Sequence, residues 1–228
     1  MTLPPGRRHE PESLRSRLGA DQYIAKGDAV RNRLVFIVAI LVIAGASAAF
    51  SATTLNNLQT AYNGESNAHA RYTAFAAKAQ DEGYLGVASL FRAAAKAEEI
   101  HAANHAVVIK EMGGTPKATI EKPDVKSTKE NIQAAIKGET YERDTMYPDF
   151  LKVARAEKNN AAVRTFNYAL TAEGEHAKLY TNAAAKQETM KKEAKLFVCS
   201  VCGYTTTKLD FEKCPGCLNP KDKYVAVS

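Results

Sequence analysis

The chain has 228 residues, a formal net charge of +6, 45% hydrophobic and 25% charged residues. That composition excludes wholesale disorder, and four cysteines are too few for a disulfide scaffold. Half of the net charge lies in residues 1–33, where Arg7, Arg8, Arg15, Arg17, Lys26, Arg31 and Arg33 face only Glu10, Glu12, Asp21 and Asp28. The remainder is nearly balanced and has no basic stripe with interleaved aromatics, so nucleic acid is not an expected partner.

The first predicted element is the uncharged run from Leu34 to Ala52, LVFIVAILVIAGASAAFSA. As a helix it would span about 28 Å, close to a bilayer core. Arg31 and Arg33 precede it and the next charge is Glu65, which places the N-terminus inside and the body outside. The run reads either as a transmembrane anchor or as the apolar region of a secretory signal, with Ala46-Ser47-Ala48 as cleavage site. Both make the protein membrane-anchored or exported, with the body on the periplasmic or outer side. Val30 can be encoded by GTG, a bacterial start codon. Initiation there would leave residues 1–29 untranslated, and a body without a working segment 1–52 would be cytoplasmic.

Residues 53–193 read as four helices. Long proline-free, Ala-rich stretches predict helices over 54–80, 84–112, 128–157 and 160–192. Gly113-Gly114-Thr115-Pro116 ends the second, and Ser127 or Thr128 caps the third. Pro148 must disturb the third helix because it cannot donate to the Asp144 carbonyl. Two short joints and one long connection over 113–127 predict a mainly α, ferritin-like four-helix bundle with one crossover. The two halves repeat at an offset of 75: Tyr72 matches Tyr147, Phe75 Phe150, Ala79 Ala154, Glu82 Glu157, Phe91 Phe166, Glu98 Glu173 and His101 His176.

The chemistry sits in that repeat. Glu98-x-x-His101 and Glu173-x-x-His176 each put an acid and an imidazole on one helical face. Two such pairs, in a chain with five histidines and at equivalent places, outweigh a chance match. The first helix offers Glu65, and the third offers Glu139 and Glu142. One Glu from each of two helices plus Glu-x-x-His from the other two is a di-iron carboxylate set. Acids crowded inside a bundle repel one another and resist desolvation, and a pair of cations offsets both penalties. Tyr72 and Tyr147 are expected to reach ligand carboxylates. His69, His105, Glu99 and Glu175 are expected beside the site or at the surface.

Residues 195–228 change character, with less Ala and more β-branched and aromatic residues. Cys199-x-x-Cys202 and Cys214-x-x-Cys217 predict a tetrahedral tetrathiolate site for Zn or one Fe.

Taken together, Gly64-Glu65-Ser66, Arg71-Tyr72, Glu98-Glu99-Ile100-His101, Gly138-Glu139-Thr140-Tyr141-Glu142, Met146-Tyr147-Pro148, Glu173-Gly174-Glu175-His176 and the Cys-x-x-Cys-Gly-Tyr segment resemble the rubrerythrin family from about Asn57 to the C-terminus. The resemblance implies a di-iron bundle followed by a rubredoxin-like domain holding Fe(S-Cys)4. It implies that Glu98 and Glu173 bridge the irons, with Glu65 and Glu142 on one iron and Glu139 and His176 on the other. It implies further that His101 replaces Glu142 on reduction. The implied activity is reduction of hydrogen peroxide to water. Electrons would come from an NAD(P)H-dependent reductase or a rubredoxin through the tetracysteinate centre, in a head-to-tail homodimer where the rubredoxin-like domain of one subunit serves the di-iron site of the other. The alternative function is a ferroxidase or iron-handling protein.

Overall fold

The computed structural model describes residues 52–228, so the basic segment and the apolar run lie outside the described residues apart from Ala52. Among the described residues no helix is long and apolar enough to cross a membrane. Five helices carry the bundle: α1 Thr54–Asp81, α2 Leu85–Glu111, α3 Thr128–Tyr141, α4 Tyr147–Ala156 and α5 Asn160–Lys186. The starts follow sequence rules. Thr53 accepts from the Asn56 amide, Ser127 and Glu130 form a capping box, and Asn159 accepts from the Ala162 amide. The crossover over 113–127 is held to α1 by side-chain amides. Thr119 N–H donates to Asn63 and Glu121 N–H to Asn67, each at 2.8 Å.

The third predicted helix is two helices. A π-helical segment, Glu142–Met146, separates α3 from α4, and the Tyr147 amide bonds the Glu142 carbonyl. Pro148, at the first turn of α4, lacks the amide that would have continued the α ladder. The segment is also the point where the repeat changes register. Before it the halves align at an offset of 74: Thr53 with Ser127, Leu58 with Ile132, Gly64 with Gly138 and Glu65 with Glu139. After it the offset is 75, from Tyr72 with Tyr147 onward. The π turn therefore holds the one inserted residue, and it restores Tyr147, Leu151 and Ala154 to the buried face. At the 74 register Glu142 stands opposite Ala68 of α1.

The hairpin turns reproduce the repeat. Gly83 (φ +78°) and Lys158 (φ +56°) both take left-handed backbone just after the helix. Glu82 accepts from the Thr128 amide of α3 at 2.9 Å, and Glu157 accepts from the Thr54 amide of α1 at 3.2 Å. Each hairpin thus caps the other. Two aromatic groups pack on either side of the bundle centre. Tyr72, Phe75, Phe91 and Tyr180 have ring centroids 5.2–6.2 Å apart. Tyr147, Phe150, Phe166 and His105 repeat that arrangement at 5.5–6.2 Å.

After α5 a 3-10 turn at Gln187–Thr189 leads into a three-stranded antiparallel sheet. Its strands are β1 Leu196–Cys199, β2 Thr205–Thr206 and β3 Tyr224–Val227, in the order β2-β1-β3. Leu196 and Val198 are buried in the same core as Tyr72, Phe91 and Tyr180. The sheet is therefore packed onto the bundle rather than tethered to it.

Candidate metal centre

Seven side chains were expected around one site. Six form two overlapping groups whose ligand atoms lie within 4.8 Å of one another: Glu65, Glu98, His101 and Glu173, and Glu98, Glu139, Glu173 and His176. All six are buried. Glu98 and Glu173 belong to both groups, so they lie between two cation positions. Glu142, on the π turn, belongs to neither group and is half-buried. The fourth member of the first group is His101.

Hydrogen bonding leaves the inner atoms of these residues free. Tyr72 donates to Glu139 Oε1 at 2.6 Å and Tyr147 donates to Glu65 Oε1. The other oxygens, Glu139 Oε2 and Glu65 Oε2, have no hydrogen-bond partner. Neither do Glu98 Oε1, both oxygens of Glu173 and His176 Nδ1. Buried polar atoms are almost always paired, so six orphans around one point mark a place for cations. Hard carboxylate oxygens with imidazole nitrogens suit iron.

The electrostatics agree. Burial, then Glu98 and Glu173, push the Glu65 carboxyl well above the ordinary range. Burial, then Glu65, does the same to Glu142. Burial raises Glu139 to about 7, against the pull of His176. Burial opposes ionisation of Glu98, but the adjacent His101 and His176 imidazoles outweigh it and hold the carboxyl at about 2. Burial disfavours protonation of His101 and His176, yet Glu173 and Glu139 respectively lead the acids that raise both imidazoles well above their usual value. Metal ions displace such protons on binding, so occupancy falls in acid. Burial, then Glu139 and Glu65 respectively, raise the Tyr72 and Tyr147 phenols well above the ordinary value. Both hydroxyls therefore keep their protons and stay donors.

The remaining candidates separate clearly. Glu99 and Glu175 pair with Lys96 and Lys178 at the surface. His69 sits against the Ala95 carbonyl, away from the acids. His105 is fully buried and engages both the Tyr147 hydroxyl at 3.1 Å and Thr165 Oγ1 at 3.0 Å.

Cys199, Cys202, Cys214 and Cys217 converge with no disulfide. Cys199 and Cys217 sulfurs lie 3.7 Å apart, and Cys202 and Cys214 sulfurs 3.5 Å apart, as the edges of a tetrathiolate cage. The Tyr224 hydroxyl donates to Cys214 Sγ at 3.0 Å and Asn219 Nδ2 to Cys217 Sγ at 3.3 Å. The cage adjoins the carboxylate site of the same chain. His101 Nε2 lies 3.1 Å from the Cys202 carbonyl, and His176 Nε2 lies 3.0 Å from Thr205 Oγ1. Neither contact was foreseen, because each depends on where the sheet docks.

Comparison with known proteins accords with this geometry. The rubrerythrin family model matches residues 56–184, more than half of the chain. The chain belongs to the rubrerythrin family. Nigerythrin from Nitratidesulfovibrio vulgaris is 42% identical over 175 residues, covering 76% of this chain and 86% of that protein. Rubrerythrin-2 from Clostridium acetobutylicum is 41% identical over 180 residues, covering 77% and 97%. The solved structure of fully reduced, all-ferrous nigerythrin superposes with a TM-score of 0.73 at 40% identity, covering 80% of this chain and 91% of that one. A Desulfovibrio desulfuricans bacterioferritin, at a TM-score of 0.56 and 24% identity, shares the bundle fold. As in its family, this chain's donor sets are those of a di-iron carboxylate site and a mononuclear iron tetracysteinate site.

Proposed function

We propose that this chain is a peroxidase that reduces hydrogen peroxide to water with electrons relayed through the tetracysteinate centre. The observation that carries the reading is the pair of four-residue groups sharing Glu98 and Glu173, with the cysteine cage docked on one of their histidines. Glu98 and Glu173 would bridge the irons. Glu65 and His101 would complete one coordination sphere, and Glu139 and His176 the other. Glu142 would be the alternative ligand to His101 on the first iron. The presence of His101 rather than Glu142 in the first group supports the exchange implied for the reduced state.

The iron pair, when bound, supplies two electrons to the peroxide O–O bond. The protein residues supply the setting. Tyr72 and Tyr147 fix one oxygen of each outer carboxylate and leave the other facing inward. Burial of all six inner residues excludes bulk water. The Cys202 carbonyl accepts the His101 Nε2 proton and joins the two centres through one hydrogen bond and a short covalent path.

An iron-storage reading gains nothing from a docked thiolate relay. The test is peroxide consumption by anaerobically iron-loaded protein with an external reductant. Glu98→Ala is expected to lose turnover by at least about a hundredfold, as expected for removal of a shared metal ligand. Unchanged turnover would refute the site. Ferrous oxidation with iron retained beyond the two centres would establish the ferroxidase alternative. An electron-donating reductase or rubredoxin, a homodimeric state and membrane attachment through residues 34–52 complete the proposal, supported by the family resemblance and by the apolar run.

A further inference from the structure

We propose that Thr205 is a positioning residue for His176, so that the cysteine-cage unit is a built-in part of the di-iron ligand shell as well as its electron relay. The inference rests on the ligand assignment above. Thr205 is fully buried, on β2 of the small sheet. Its hydroxyl donates to the Gly203 carbonyl at 3.0 Å. With its proton committed there, the oxygen meets His176 Nε2 at 3.0 Å as an acceptor, and Nε2 must carry the hydrogen. In the neutral imidazole that a metal requires, this leaves the lone pair on Nδ1, and Nδ1 is the nitrogen that faces the acids, 2.9 Å from Glu173 and 3.4 Å from Glu139.

His101 is held in the same sense. The Cys202 carbonyl can only accept, so His101 Nε2 is the donor, and Nδ1 points to Glu98 at 2.8 Å. Both imidazoles are thus aimed through their outer nitrogen by one short segment, Cys202 to Thr205. Groups that orient a metal-bound histidine through its other nitrogen fix the tautomer and ring angle, and their loss costs about 10–100-fold in metal affinity. Binding and docking are then linked reciprocally: a metal that needs Nδ1 of His176 favours the docked sheet, and the docked sheet favours the metal.

The test is cobalt(II) titration of the full-length, metal-free protein carrying Thr205→Val or Thr205→Ser. Thiolate-bound cobalt absorbs in the near ultraviolet and intensely at the red end of the visible, and cobalt on nitrogen and oxygen ligands more weakly at shorter visible wavelengths, so the two centres are read separately. Thr205→Val, isosteric but without the hydroxyl, is expected to weaken binding at the carboxylate site by about 10–100-fold. The thiolate band should stay intact, and Thr205→Ser should bind like the parent. Parent-like affinity in Thr205→Val with an intact thiolate band overturns the proposal. Were the valine variant to lose its thiolate band, histidine nitrogen-15 shifts of the zinc-loaded parent decide: metal on Nδ1 and a proton on Nε2 of His176 sustain the role, and metal on Nε2 overturns it. A parent protein showing no shorter-wavelength cobalt band beyond those of the thiolate site would instead sink the ligand assignment, and the Thr205 role with it.

Discussion

His105 shows how much one buried side chain can settle. Its two nitrogens meet the Tyr147 and Thr165 oxygens in a site closed to solvent. Tyr147 gives its proton to Glu65, so its oxygen must accept from His105 Nε2–H, and Nδ1 must accept from the Thr165 hydroxyl. The chain from Thr165 to Glu65 therefore runs in one sense, with a neutral imidazole in the middle. Burial, and then the charge of His101, hold the His105 pKa down at about 3. A depressed histidine pKa contributes stability that is fully present above the unfolded value of about 6.5 and is lost as pH falls towards 3. Replacement by glutamine, which does not titrate, is expected to cost about 1–3 kcal/mol at neutral pH through imperfect pairing. The gap to the parent should narrow progressively below pH 6.5. Denaturant melts of both proteins across that range check it, and a gap that widens in acid would contradict a neutral imidazole. The convergence of the six buried acids and histidines was legible in the sequence because i, i+3 spacing, repetition and the cost of burying acids all pointed to one cluster. The role of His105 was not, since its partners lie 42 and 60 residues away and no local spacing signals them.

At the level of elements, the helix starts followed their sequence signals closely, since alanine-rich stretches, caps and the Gly-Gly-x-Pro stop all act locally, but α5 ends at Lys186, short of the expected 192, where a 3-10 turn leads the chain into the sheet. The π turn was only half legible. Pro148 announced a disturbance, but its form depends on which residues the second hairpin must bury. The change of repeat offset from 74 to 75 carries that information. The insertion has a chemical consequence: it lets α3 carry Glu139 and the π turn carry Glu142 while still presenting Tyr147 to Glu65. The reciprocal caps are a second consequence of the repeat. Glu82 accepts from Thr128 and pairs with Lys78 at 3.0 Å, and these contacts, the Thr128 hydrogen bonds foremost, hold its carboxyl at about 2. A depressed carboxylate pKa contributes stability that is present above the unfolded value of about 4.5 and is lost as pH falls through 2. Glu82→Gln is accordingly expected to destabilise the protein by about 1 kcal/mol at pH 7, the usual worth of a cap. The difference should fade below pH 4.5, as thermal melts at graded pH would show, and a constant difference would mean that the carboxylate charge is irrelevant to the cap.

Across the whole molecule, the decisive feature is the approach of the cysteine knuckle to the bundle, and Gly203 is its narrowest point. This glycine has φ +76°, a conformation that other residues adopt at a cost of about 1–2 kcal/mol. A Cβ built there would overlap His101 Nε2 and come within 2.7 Å of Cδ2. Gly203 directly follows the Cys199-x-x-Cys202 pair, where a metal knuckle needs a tight turn, and that is the local half of its role. The other half requires knowing that a histidine from α2, about a hundred residues away, occupies the space a side chain would need. Gly203→Ala therefore acts at the joint between the two centres, against the outer edge of His101, and replaces no ligand of either. The cage has its own cohesion, with β1 paired to both neighbouring strands and Tyr224 and Asn219 bonded to its sulfurs. The variant is expected to keep the absorption of the tetracysteinate iron. His101 is backed by α2 and the acids, so the sheet is what must retreat, and the Cys202 carbonyl moves with it. A displacement on the scale of 1 Å is enough to reduce a positioned reaction by about a hundredfold. Transfer of electrons from the reduced cage to the oxidised iron pair, followed by stopped-flow absorption at the thiolate band, should slow by roughly ten- to a hundredfold. Peroxide oxidation of the chemically reduced iron pair should slow less than this transfer, because the carboxylates stay in place and only the outer hydrogen bonds of His101 and His176 are loosened. Electron transfer at the parent rate in Gly203→Ala would show that the relay does not pass through this contact.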